Sequence, residues 1–198
     1  MQKIGIIGGT FSPIHIGHLM LAQRALEEYH LDEIVFIPNG NPPHKKASLD
    51  ASFRAEMVKL AIKDHPGFTF SDLEIRKEAF SYTSDTLAEF CSLNPDAEYY
   101  FIVGADSLDY MDEWHEPQKI FDCAVILAGP RGNLDLLQME QKIQELKARY
   151  NARISLLHMP NFEISSNWIR QAVKEGYSIQ YYVTEEVKNY IEEHGLYR

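Results

Sequence analysis

Lys3-Ile4-Gly5-Ile6-Ile7-Gly8-Gly9-Thr10-Phe11-Ser12-Pro13-Ile14-His15-Ile16-Gly17-His18 is the stretch on which the reading of this chain turns. Lys3 to Gly8 is a short, almost continuous apolar run, the mark of a strand buried on both faces of a parallel sheet. The glycines that follow let the backbone turn tightly and aim N–H groups at an anion. An amphipathic stretch from Gly17 to Tyr29 reads as a helix, whose positive end falls at the same place. His15 and His18 stand three residues apart at its entrance, so both can face one pocket. Imidazoles there can donate hydrogen bonds to phosphate oxygens and stabilise charge that grows during transfer. The loop is not a Walker A motif, because no Gly-Lys-[Ser/Thr] follows, and it is not GxGxxG. HExxH spacing is missing and no third ligand is suggested, so no protein-held metal is expected.

Outward from this stretch, strands and helices alternate. Glu33 to Ile37 reads as a second buried strand stopped by Pro38, and Asn39 to Lys46 as a loop. Helical spacing covers Ala51–Asp64, a strand-like pattern Phe68–Ile75, and a helix Ser84–Cys91. Further strands are expected at Tyr99–Val103, ending in Gly104, at Cys123–Ala128, ending in Gly129-Pro130, and at Arg153–His158. Leu134–Tyr150 is a surface helix. Two more helices close the chain, one after Ser165-Ser166 and one from Thr184 to His194, stopped by Gly195. The alternation predicts an α/β fold, a Rossmann-like open parallel sheet with helices on both faces. Ligands in such folds bind at the carboxyl ends of the strands. That selects Gly8–His18, Pro38–Lys46, Gly104–Asp106, Gly129–Gly132 and Met159–Ser166. With no repeat or linker in view, residues 1–198 read as a single domain with a small helical C-terminal part from about residue 165.

Composition narrows the function. The 198 residues are 45% hydrophobic and 24% charged, which excludes a disordered or collagen-like chain. Nineteen Lys and Arg against 29 Asp and Glu give a net charge of −10. With a pI near 5.2, that argues against a general nucleic-acid binder, which needs a basic footprint. Cys91 and Cys123 are far apart in sequence without CxxC pairing, and read as small buried hydrophobes in a reducing compartment. No run approaches the ~18 apolar residues of a membrane span. The apolar N-terminal run breaks too early for a signal peptide. A cytoplasmic protein with no membrane partner is expected.

His15-Ile16-Gly17-His18 after a first strand is an HxGH motif, shared by nucleotidyltransferases and class I aminoacyl-tRNA synthetases. The chain is short for a synthetase and has no KMSKS-like sequence. The longer string GGTFxPxHxGH resembles the nicotinate/nicotinamide mononucleotide adenylyltransferases, the bacterial nicotinate-nucleotide branch in particular. The resemblance runs nearly the full length. It takes in Pro42-Pro43-His44-Lys45, Ser81-Tyr82-Thr83-Ser84-Asp85-Thr86, Ile102-Val103-Gly104-Ala105-Asp106, Trp114, Ile164-Ser165-Ser166 with Ile169-Arg170, and Gly195-Leu196-Tyr197.

This resemblance implies adenylyl transfer from ATP to nicotinate mononucleotide, giving the dinucleotide and pyrophosphate on the route to NAD. It implies Mg²⁺ with ATP as co-substrate, held mostly by substrate and water. His15, His18 and Arg170 are the expected catalytic residues. Gly8, Gly9, Thr10, Phe11, His44, Lys45, Gly104, Asp106, Ser165 and Ser166 are expected to meet ATP and its phosphates. Tyr82, Thr83 and Trp114 are expected on the pyridine nucleotide, Trp114 as an exposed stacking platform because its neighbours are polar. Two departures stand out. Asn167 replaces the family's usual Thr, and Ser12 stands where an acidic residue is common. The alternatives left open are a related adenylyl- or cytidylyltransferase on another phosphorylated acceptor, and a non-catalytic nucleotide sensor. A homodimer is left open as well.

Overall fold

The computed structural model describes residues 1–41, 49–77, 79–130, 136–160 and 163–198. Six parallel strands form one sheet: β1 (Lys3–Gly9), β2 (Glu33–Pro38), β3 (Phe68–Phe70), β4 (Glu98–Gly104), β5 (Ala124–Gly129) and β6 (Ile154–Leu156). Their order is β3-β2-β1-β4-β5-β6, so the winding reverses between β1 and β4. Helices α1 (Ile16–Glu28), α2 (Ala51–Ile62), α3 (Thr83–Leu93), α4 (Pro117–Cys123), α5 (Leu136–Tyr150), α6 (Ser166–Lys174) and α7 (Glu185–Glu193) cover it. A 3-10 helix spans Ala105–Glu113.

Successive strand residues serve opposite faces, which is why the strands read as unbroken apolar runs. Ile7, Phe36, Ile102 and Leu127 pack with Ala22 and Ala25 of α1, Met57 and Val58 of α2, Ile169 of α6, and Val187 and Ile191 of α7. Ile6, Ile37, Phe101 and Ile126 face the other way, onto Leu87 of α3, Leu108 of the 3-10 helix, Phe121 of α4 and Ile143 of α5. The C-terminal helices therefore share the core of the first face.

Several boundaries differ from the sequence reading, each for a local reason. β2 runs on to Pro38, because its last partner on the β3 side is at Phe36 and the N–H that proline lacks is not needed there. The strand expected over Phe68–Ile75 stops at Phe70, after which Arg76 N–H donates to the Asp72 carbonyl (3.0 Å) and closes a turn. That turn swings Glu74 into the interior, 4% exposed. Cys123 ends α4 rather than opening β5. The two thiols are neighbours: Cys91 Sγ lies 3.7 Å from the Cys123 carbonyl oxygen. Both are free, and burial leads in pushing the Cys91 thiol up to about 12.

Candidate active site

A cavity of about 530 Å³ opens at the carboxyl ends of the strands. It lies where the strand order reverses, the place an open α/β sheet offers a ligand. Gly8 and Thr10 after β1, Asn39 after β2, Gly104 and Asp106 after β4, and Gly129 and Pro130 after β5 all line it. The volume falls in the range of small-molecule sites.

Its first wall is the loop from Thr10 to His15 and the start of α1. The His15 and His18 rings stack with centroids 3.7 Å apart, and both line the cavity. His15 N–H donates to His18 Nδ1 (3.2 Å). With Nδ1 accepting, the proton of the neutral ring sits on Nε2, which makes His18 a hydrogen-bond donor at its outer nitrogen. Gly17 explains the glycine of the motif: a Cβ there would lie 3.1 Å from His15 Nδ1 and 3.2 Å from Cε1, displacing the ring from its partner.

The loop is gripped from behind by its carbonyls. Arg54 of α2, 1% exposed, donates from Nη1 to the Thr10 carbonyl (2.9 Å), from Nε to that of Leu49 (3.2 Å) and from Nη2 to that of Gly40 (3.5 Å). Burial pulls the Arg54 guanidinium below its ordinary value. Arg170 Nη1 donates to the Ser12 carbonyl (2.7 Å), and Ser166 Oγ to the Pro13 carbonyl (2.9 Å). Ile16 N–H donates to the Tyr182 carbonyl (2.9 Å). Tyr197 Oη lies 3.1 Å from Ser12 Oγ, and burial pushes its hydroxyl up to about 12, so it stays protonated at neutral pH.

The opposite wall is the start of α3 with the end of the 3-10 helix. Ser81, Tyr82, Thr83 and Thr86 line it, as do Tyr110, Trp114 and His115. Tyr82 and His115 rings meet at 4.2 Å. Trp114 is half-buried, edge-on to Phe101 at 6.3 Å and tilted against Tyr110 at 6.2 Å. It is therefore a wedge between core and cavity rather than the exposed platform expected, because Phe101 of the core reaches its ring. Ser81 Oγ is buried on this wall without a hydrogen-bond partner among the described residues.

Of the residues singled out from sequence, the cavity brings together Gly8, Thr10, His15, His18, Gly104 and Asp106 with Tyr82, Thr83 and Trp114. Gly9, Phe11, Ser165, Ser166 and Arg170 are not on its lining. Phe11 is buried edge-on against His18 at 5.0 Å. Ser165 Oγ caps α6 by accepting from Trp168 N–H (3.1 Å). Asn167 Oδ1 accepts from Arg170 Nη2 (3.1 Å), so this departure from the usual Thr serves the arginine. His44 and Lys45 lie outside the described residues. Sequence reading missed Glu74 and His115 on the lining and Arg54 behind it, while Asn39 and Thr86 fell within selected segments without a role of their own. Arg54 carried a signal: it shares a helix face with the apolar Met57 and Val58, where a charge has no solvent.

Comparison with known proteins agrees with this geometry. A family described as cytidylyltransferase-like matches residues 6–172. A relative from Lachnoclostridium phytofermentans, named "probable nicotinate-nucleotide adenylyltransferase", is 47% identical over the whole of both chains. One of the same name from Desulfitobacterium hafniense (strain Y51) is 41% identical, covering 100% of this chain and 96% of its own. Among solved structures, the Plasmodium falciparum nicotinic acid mononucleotide adenylyltransferase complexed with NaAD superposes with a TM-score of 0.84 at 21% identity, covering 100% of this chain and 98% of that one. That likeness speaks for the fold; the sequence identities speak for the family. A sheet that reverses beside an HxGH helix, with relatives this similar from end to end, places the chain in the cytidylyltransferase-like family, among the nicotinate-nucleotide adenylyltransferases.

Proposed function

We propose that the protein transfers the adenylyl group of ATP to the 5′-phosphate of nicotinate mononucleotide, forming nicotinate adenine dinucleotide and releasing pyrophosphate. The observation that carries this reading is that one cavity joins an HxGH phosphate wall to an aromatic-flanked helix start. The acceptor phosphate attacks the α-phosphorus of ATP; the bond to the bridging oxygen of the β-phosphate breaks and pyrophosphate leaves. The nucleophile is already anionic at neutral pH, so no side chain has to remove a proton. The protein's work is positioning and electrostatics. His18 donates from Nε2 to a phosphoryl oxygen and His15 orients it through its backbone N–H. Arg170 and Arg54 act one layer back, holding the loop's carbonyls so that its N–H groups face the anion.

The carboxylate of the pyridine ring meets the free amides at the start of α3 and the Ser81 hydroxyl. Donors alone suit an anion, whereas the NH₂ of a carboxamide would oppose them. Mg²⁺ is the expected companion of ATP and, when bound, would supply neutralisation of phosphate charge. Such an ion is ordinarily carried by substrate oxygens and water. Among the described residues no helix is long and apolar enough to cross a membrane. Two free thiols favour the reducing cytoplasm.

The test is pyrophosphate release with ATP against a panel of phosphorylated acceptors. Nicotinate mononucleotide is expected to be preferred over the nicotinamide form, and Trp114→Ala to raise the KM of both acceptors while leaving that of ATP nearly unchanged. Faster turnover of an unrelated acceptor would overturn the assignment.

A further inference from the structure

Glu74 is a buried carboxylate on the cavity lining that the chemistry above does not use. Its two oxygens are held from two directions. Thr86 Oγ1 donates to Oε1 (2.8 Å) and Asn39 Nδ2 donates to Oε2 (3.2 Å). The backbone of residue 74 is fixed as closely: a Cβ at Gly40 would lie 2.0 Å from the Glu74 carbonyl oxygen, so only glycine fits there. Lys77 and Arg54 are the charged side chains that act on this carboxylate.

We infer that Glu74 is a positioning and specificity residue for the acceptor, because it fixes the hydrogen-bond polarity of Thr86 and Asn39 on the cavity wall; this rests on the function proposed above. A threonine hydroxyl has one proton. With that proton on Glu74, Thr86 offers the cavity lone pairs only. Asn39 is turned by its bond to Glu74, which leaves one N–H to donate and the carbonyl oxygen to accept. The wall is thereby divided. Thr86 accepts and Asn39 can do both, which suits the hydroxyls of a ribose. Thr83, one turn from Thr86 on the same side of α3, marks the helix end where amide donors and Ser81 suit a carboxylate. A nicotinate nucleotide laid across this wall fits in one orientation, with its sugar toward residues 39 and 86 and its carboxylate toward residues 81–83.

Keeping an ionised group there works against the fold. Burial raises the Glu74 carboxyl above its ordinary value despite the hydrogen bonds from Thr86 and Asn39, so a neutral isostere costs the native state little. The role in binding and a role in packing therefore separate experimentally. In Glu74→Gln the amide can donate to Thr86, freeing the threonine proton to face the ligand. Its KM for nicotinate mononucleotide is expected to rise about tenfold, with the KM of ATP within twofold of wild type and the Tm not lowered. Thr86→Val, which keeps the carboxylate, is expected to raise the same KM by a similar factor. The double variant should be no worse than the weaker-binding single one, because both changes break one device. An unchanged acceptor KM in either variant, a hundredfold additive rise in the double, or a fall in Tm with both KM values moving together would overturn the inference. If Glu74→Gln does not fold, that too overturns it, since packing would then be its role. Wild-type protein that turns over no nicotinate mononucleotide at all overturns the proposed function instead.

Discussion

The two walls of the cavity are built on opposite plans. The wall proposed to meet phosphate is shaped largely by backbone, and apart from the His15–His18 pair what fixes it approaches from outside the site. Arg54, Arg170 and Ser166 bind its carbonyls, and Tyr182 accepts from the first amide of α1. The acceptor wall is defined by side chains, and what fixes it lies within the site. Tyr82 leans on His115, Trp114 on Phe101, and Thr86 on Glu74. A phosphate has the same shape in every nucleotide, so a rigid cradle of amides serves it. A pyridine ring, its carboxylate and a ribose must be told from similar groups, and side chains carry that discrimination. On this plan, changes behind the first wall should alter stability and turnover generally, and changes in the second should alter substrate choice.

The largest effect expected on that comparison is at His18, the one side chain of the phosphate wall with a donor poised by a neighbouring amide. His18→Ala should lower kcat by about 10²–10³ with little change in either KM, measured by steady-state kinetics. Near-normal turnover would show that backbone alone performs the transfer. Next is Arg54→Met, which keeps the apolar stem but leaves the Thr10, Leu49 and Gly40 carbonyls without their donor. Relief of a buried charge offsets part of the loss, so urea unfolding should show destabilisation of about 2–3 kcal/mol. The acceptor preference among survivors should be unchanged. Wild-type stability would mean the loop holds its own shape. The smallest effect is expected for Asn167→Thr: the exposed amide accepts from Arg170 Nη2. Its kcat/KM should stay within about 1.4 kcal/mol, tenfold, of wild type. A larger shift would move residue 167 from the scaffold into the site.

The sheet was legible because period and composition announce buried parallel strands, and the first loop because two glycines and an HxGH string leave few other readings. The half of the site that is made of backbone and local motif came with them. Glu74 and Arg54 were not legible in the same way. Each is a charged residue with partners as far as 35 or 44 positions away, and charge in an amphipathic stretch ordinarily means solvent. The short 3-10 helix at Ala105–Glu113 and α4 were missed because their apolar residues follow neither a clean helical nor an alternating period. Trp114 was misjudged for a related reason: polar sequence neighbours say nothing about a ring that reaches Phe101 on β4.

Arg54 has one more consequence, for how this scaffold can be altered. Its donors hold the carbonyls of Thr10, Leu49 and Gly40, so one side chain ties three separated points of the backbone together behind the cavity. A lysine ammonium is a single point charge and lacks the fixed fork by which a guanidinium reaches several carbonyls at once. Position 54 is therefore closed to the usual exchange of one basic residue for the other, and any redesign of the cavity that keeps its first loop has to keep this arginine.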